Sequence, residues 1–125
     1  MNKIKVAIVE DEPFLASMYK AKFEMEGFEV LRAADGLEGL EIIKKENPDI
    51  VLLDIVMPKM DGFDVLTSLH SDAKVARIPV IILTNLGQRS DIEKGLKLGA
   101  VDYIVKANYT PAQVVVKVKE HLKIK

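Results

Sequence analysis

PDIVLLDIVMPKMDG, residues 48–62, poses the question that decides the fold. Four apolar residues, Ile50 to Leu53, run straight into an acid, Asp54, and a second apolar group with Pro58 leads on to Asp61-Gly62. A continuous apolar run of this length reads as a parallel strand covered on both faces. A carboxylate at the end of such a strand, with a proline-containing turn behind it, needs something to hold it.

The rest of the chain supplies the setting. Apolar runs predict strands at Ile4–Val9, Phe28–Ala33, Ile50–Leu53, Val80–Leu83 and Tyr103–Val105. Helical stretches alternate with them. The first follows Pro13, carries Phe14, Met18, Ala21 and Met25 on one stripe, and stops at Gly27. The second is capped by Asp35, turns Leu37, Leu40 and Ile43 inward, and ends before Asn47-Pro48. A third runs from Phe63 to His70, with Asp61-Gly62 as its turn and start. Ser90-Asp91-Ile92-Glu93 and Thr110-Pro111-Ala112-Gln113 both match the capping-box pattern and open the fourth and fifth. Val115, Val118 and Leu122 at helical spacing favour a helix there, although Val114-Val115-Val116 alone would suggest a strand. Five strand–helix units in strict alternation make an α/β domain with a five-stranded parallel sheet and right-handed crossovers.

Composition bounds the function. A length of 125 residues fits one domain spanning 1–125 that buries roughly two thirds of the surface its unfolded chain exposes. A net charge of −1 gives no basic footprint for nucleic acid and no attraction to a membrane surface. The absence of cysteine excludes thiolate chemistry and fits a reducing compartment. No run approaches the roughly 18 apolar residues of a membrane span, and the N-terminus lacks a signal-peptide core, so the expected location is cytoplasmic.

The polar residues gather at one end of the sheet. Glu10 and Asp11 follow the first strand, Asp54 ends the third, Thr84 the fourth and Lys106 the fifth. Open α/β sheets bind ligands at the carboxyl ends of their strands, and in the order 2-1-3-4-5 strands one and three are neighbours at the switch point. Three carboxylates meet there. At an effective dielectric near 20, a pair about 4 Å apart costs about 4 kcal/mol. Oxygen-only ligands suit a hard cation such as Mg²⁺, and Lys106 adds a further positive charge. Three negatives, one Mg²⁺ and one lysine balance to zero, which leaves Asp54 placed as a nucleophile for a phosphoryl group.

This constellation resembles the receiver domain of two-component response regulators. The matching residues are the acidic pair in VAIVEDEP, Asp54 in LLDIVMPKMDG, Thr84 in VIILTN and Lys106 in DYIVKA. The resemblance covers essentially the whole chain, and implies a flavodoxin-like doubly wound sheet with five helices. It implies that Asp54 accepts a phosphoryl group from the phosphohistidine of a sensor kinase or phosphotransfer protein, as in a phosphorelay. Glu10, Asp11 and Asp54 would bind Mg²⁺, with the backbone carbonyl of Val56 as a further ligand. Thr84 and Lys106 would contact phosphoryl oxygens, and Tyr103 would change rotamer as Thr84 moves. The chain would be a signalling switch acting on an unidentified downstream protein, either a stand-alone receiver of the chemotaxis or sporulation type or a receiver fragment. Its only catalysis would be of its own phosphotransfer and slow dephosphorylation.

Two positions depart from the family. Ala107 follows Lys106 where a proline, often after a cis bond, is usual; a non-proline cis bond costs about 2.5–4 kcal/mol. Asn85 stands where the family prefers a very small residue. Other readings fit less well. A dehalogenase-like phosphatase needs a second Asp two residues past the nucleophile, where this chain has Val56. A flavin carrier needs a hydroxyl- and glycine-rich loop after strand one, where this chain has EDEPF. A receiver-shaped module that no longer takes phosphate remains the alternative. His70 and His121 have no metal-ligand spacing, so the phosphohistidine belongs to another protein.

Overall fold

A computed structural model of the protein describes residues 3–124. Five strands, β1 (Lys5–Val9), β2 (Glu29–Ala33), β3 (Ile50–Leu53), β4 (Val80–Thr84) and β5 (Asp102–Val105), alternate with five helices. These are α1 (Pro13–Met25), α2 (Gly36–Glu46), α3 (Gly62–His70), α4 (Arg89–Lys97) and α5 (Pro111–Leu122). The strands form one sheet in the order β2-β1-β3-β4-β5, every pair parallel, the flavodoxin-like doubly wound arrangement expected.

Successive side chains of a strand point to opposite faces, so the continuous apolar strands feed two cores at once. Val6, Ile8, Leu52 and Ile104 meet Tyr19 and Phe23 of α1 and Val114, Val115 and Val118 of α5. Ala7, Val9, Leu53 and Ile82 meet Ile43 of α2 and Val65, Leu66 and Leu69 of α3. The edge strand β2 is more exposed, as a strand covered less completely must be.

Helix α1 corrects the sequence reading. The stripe Phe14, Met18, Ala21 and Met25 faces solvent, with Phe14 and Met25 at 70% and 77% exposure. The buried side is Ala16, Tyr19 and Phe23 instead, and Phe23 meets Phe28 edge-on. Apolar residues stand on both sides of this helix, so spacing alone cannot choose the inward one. Leu37 of α2 is likewise exposed; the buried positions of that helix are Gly36, against the Met60 backbone, Gly39, against Val9, and Ile43.

The capping pattern at Ser90 is also overturned. Helix α4 begins at Arg89 after Gln88, without a side-chain cap. Ser90 lies in the first turn, and Glu93, which the box would need, pairs with Arg89 at 3.0 Å. The box at Thr110 does form: Gln113 N–H donates to the Thr110 hydroxyl at 3.2 Å, and Thr110 N–H to the Gln113 amide oxygen at 2.8 Å. Asp35 and Asp61 cap α2 and α3 as read. The Lys106–Ala107 bond is trans, and the chain makes a short 3₁₀ turn at Lys106–Asn108. Among the described residues, no helix is long and apolar enough to cross a membrane.

Candidate functional site

The strand ends bring together the residues that the sequence set apart. Asp54 leaves β3 almost fully buried; one carboxylate oxygen accepts the Ile55 N–H at 2.7 Å and the other accepts the Lys106 ammonium at 2.8 Å. Glu10, just past β1, is 3% exposed. Its carboxylate also accepts from the Lys106 ammonium, and from the Glu12 N–H at 3.0 Å. Lys106 at the end of β5 thus bridges two acids from two other strand ends. Asp11 completes the group: one oxygen each from Glu10, Asp11 and Asp54 lies within 4.8 Å of the others. Unlike its companions, Asp11 is exposed.

Burial and pairing compete in this cluster. Burial pushes the Glu10 carboxyl above its ordinary value, and the Lys106 and Glu12 contacts only partly offset it. Burial pulls the Lys106 ammonium down, but hydrogen bonds to Asp54 and Glu10 outweigh that and leave it raised. The lysine is therefore firmly charged, while the buried Glu10 carboxyl remains short of positive charge.

A cleft of about 230 Å³ opens over Asp54, lined by Val56, Thr84, Asn85, Leu86 and Lys106. A larger cleft, about 460 Å³, lies at the amino end of the sheet beside Lys74 and Arg77, remote from the acids; size does not mark the chemistry here. Thr84 is 1% exposed, and its hydroxyl accepts the Leu86 N–H at 3.4 Å. The Leu86 carbonyl in turn accepts the Tyr103 hydroxyl at 2.5 Å. Burial first, with Asp91 and Asp54 adding, pushes the Tyr103 phenol up to about 12. Val56 is 61% exposed at the cleft rim.

The loop after Asp54 is shaped by features whose role was not legible in the sequence. A Cβ on Gly62 would stand 2.2 Å from the Asp54 carbonyl oxygen, and one on Gly36 would stand 1.8 Å from that of Met60. Both Asp-Gly pairs therefore cap a helix and admit this loop at the same time; the pairs announced only the caps. Glu12 caps α1 through the Leu15 N–H at 2.7 Å, and Arg32 of β2 donates to the Glu10 carbonyl. No motif pointed to either.

The family model for the response regulator receiver domain matches residues 6–119. The chain belongs to that family. A probable transcriptional regulator ycf27 of Cyanophora paradoxa is 39% identical over 98% of this chain, which covers 50% of that protein. The protein PilH of Pseudomonas aeruginosa is 42% identical over 82% of the chain and 84% of its own length. Among solved structures, a CheY-like receiver domain protein from Methanospirillum hungatei superposes with a TM-score of 0.90 at 30% identity, covering 98% of this chain and 95% of that one. The receiver spans about half the length of the ycf27 relatives it matches. Receivers are signalling modules, governed by phosphorylation, that work with sensor kinases or phosphotransfer proteins and downstream effectors.

Proposed function

We propose that this receiver is a switch in which a carboxylate oxygen of Asp54 attacks the phosphorus of a partner protein's phosphohistidine. A P–O bond forms as the P–N bond breaks, and the imidazole leaves. The observation that carries this reading is the Lys106 ammonium shared between the buried carboxylates of Asp54 and Glu10 beneath an open cleft. A buried acid held this way is fixed in place yet reachable from one side, and positioning is most of what phosphoryl transfer asks of a protein.

Three carboxylates facing one ammonium leave an excess of negative charge, and their oxygens converge. That donor set fits Mg²⁺. Glu10, Asp11, Asp54 and the Val56 carbonyl would hold it, and when bound it supplies charge neutralisation for the transferring group. Lys106 contributes a fixed positive charge at the acceptor carboxylate, and the Thr84 hydroxyl can turn to donate to a phosphoryl oxygen. Because that hydroxyl holds the Leu86 N–H and the Leu86 carbonyl holds Tyr103, its turning is felt at β5 and α4. Thr84 and Tyr103 are the switch residues on this reading.

The donor's approach is supported by the exposed stripe of α1. Phe14 and Met18 lie open to solvent, and an apolar cleft lined by Leu15, Met18, Tyr109 and Pro111 runs up to Asn85 and Lys106. A helical donor docked there would present its phosphohistidine to Asp54. The reading takes the chain as one receiver domain over 1–125 in the cytoplasm, with no catalysis beyond its own phosphorylation and slow dephosphorylation.

Incubation with acetyl phosphate and Mg²⁺, followed by intact-mass and peptide analysis, tests the assignment. One phosphoryl group should map to Asp54, chelation of Mg²⁺ should prevent it, and Asp54→Asn should fold normally and take none. An unlabelled parent would instead support a receiver-shaped binding module.

A further inference from the structure

We propose that Arg32 is a positioning residue for the acid cluster: by holding the Glu10–Asp11 peptide, it sets the direction of the Asp11 carboxylate and so the affinity for a divalent cation. The inference rests on the reading of Glu10, Asp11 and Asp54 as a Mg²⁺ site.

The edge strand β2 holds Glu10 from one side. In the β1–β2 ladder Ile8 lies opposite Arg32 and Val9 opposite Ala33, and there the regular pairing ends. Glu10 is nevertheless tied to β2 twice. Its N–H donates to the Ala33 carbonyl at 3.0 Å, and its own carbonyl accepts from Arg32 Nη2 at 2.9 Å. The second tie is made by a side chain where the strand backbone no longer reaches. That carbonyl belongs to the peptide group whose nitrogen is Asp11's, so fixing its plane fixes the axis about which Asp11 is set.

Asp11 is the member of the cluster that depends on this. The Glu10 carboxylate is held by Lys106 and the Glu12 N–H, and that of Asp54 by Lys106 and the Ile55 N–H. Among the described residues, no comparable side-chain contact fixes Asp11, which is exposed. The main chain sets where its Cα–Cβ bond starts, and the carboxylate reaches the cluster by a rotamer about that bond.

Arg32 also sits there at a cost to folding. Its Nε is buried and has no hydrogen-bond partner, and Lys20 lines the same small cleft beside Ala16 and Ser17. An orphaned buried donor and a neighbouring like charge are unfavourable, and a β-branched residue would suit an edge strand better. The Nη2 bond to Glu10 is the contact that sets this side chain apart.

The two effects of a guanidinium near a cation site have opposite signs. As a charge alone it repels Mg²⁺, so its removal would tighten binding. As a positioning group it favours binding, so its removal weakens it.

The test is a Mg²⁺ titration by calorimetry and by NMR of residues 10–12, on the parent, Arg32→Met, Arg32→Lys and Asp11→Asn, with metal-free thermal melts beside it. Arg32→Met, which keeps the stem along α1, should bind about tenfold more weakly while melting close to the parent. Its labelling by acetyl phosphate should need more Mg²⁺ for half-maximal rate yet reach the parental maximum. Arg32→Lys, which keeps a charge and a donor, should recover part of the affinity; it also carries the test if the methionine variant fails to fold. Unchanged or tighter binding in Arg32→Met, or in Arg32→Lys if that variant must serve alone, would overturn the positioning role. Parental affinity in Asp11→Asn would overturn the metal site itself, and the proposal with it.

Discussion

Helices α4 and α5 lie on opposite faces of β4 and β5, yet they are attached in different ways. Helix α5 opens with a complete capping box and sinks Val114, Val115 and Val118 into the core with Ile104 and Leu83. Helix α4 has no side-chain cap, and Gly95 is its one fully buried residue. Gly95 lies so close to Ile82 and the Tyr103 ring that a Cβ would stand 2.5 Å from the first. Around it, the partly buried Leu86 and Leu98 pack against the core, the Tyr103 hydroxyl donates to the Leu86 carbonyl, and Lys94 rests 4.3 Å over the Phe63 ring. Few apolar contacts and an open start are the marks of a segment with low local stability. The molecule holds Asp54 with well-anchored elements and borders it on one side with a loosely anchored one. On the proposed reading, a small free energy at Thr84 moves α4 where it could not move α5.

An aspartate placed in each helix, at a buried position of α5 and on the open side of α4, breaks or upholds this contrast. Val118→Asp would bury an unpaired carboxylate in α5 and should cost more than about 4 kcal/mol, unfolding a marginal domain. Leu96→Asp in α4, at a position 46% exposed, should change stability by no more than about 0.5 kcal/mol. Denaturant melts of the two variants measure both, and similar losses would abolish the distinction.

A smaller effect concerns how long the phosphoryl form lasts. Val56 and Leu86 border the cleft over Asp54 and are both apolar, so neither side chain can orient an attacking water. Slow decay of the aspartyl phosphate is expected, and Val56→Asn, which offers an amide there, should accelerate it about tenfold, or 1.4 kcal/mol of barrier. Decay after donor removal in parent and variant gives the answer; equal rates would mean these side chains do not govern water.

The smallest expected effect reads the tie between β5 and the α4 side. The Tyr103 phenol is raised from 10.0 to about 12, so the folded state favours the neutral hydroxyl. Its contribution is full below the ordinary value and is lost as pH climbs through the raised one. Tyr103→Phe should remove an absorbance step near pH 12 from the tyrosinate titration and cost about 1 kcal/mol for the lost bond. A parent whose phenols all ionise at the ordinary value would contradict the buried, bonded hydroxyl.

What the sequence could and could not convey follows from where each signal resides. Strand positions and parallel pairing were legible because continuous Ile, Val and Leu runs have one economical use, a sheet covered on both faces. The convergence of Glu10, Asp11, Asp54, Thr84 and Lys106 followed from strand ends alone, since topology brings those ends together whatever the side chains do. The inward face of α1 was not legible, because Phe14 and Met18 compete with Tyr19 and Phe23 and only the tertiary fit decides. The start of α4 was misread because the Ser90-to-Glu93 spacing falls inside the helix, whose N-cap is Gln88, and so marks no cap. The contributions of Gly36, Gly62 and Arg32 rest on backbone atoms of distant residues, which no local spacing records.

Hydrogen exchange across the two helices tests the central contrast most directly. Amide exchange would be followed by mass spectrometry in the parent and in Asp54→Asn, each with Mg²⁺ and with or without acetyl phosphate. In the unphosphorylated parent, peptides covering residues 85–101 should exchange faster than those covering α5. Phosphorylation should alter exchange in 85–101 and leave α5 nearly unchanged, with no response in Asp54→Asn. Equal protection of α4 and α5 at the outset, or a phosphorylation response confined to α5, would contradict the account.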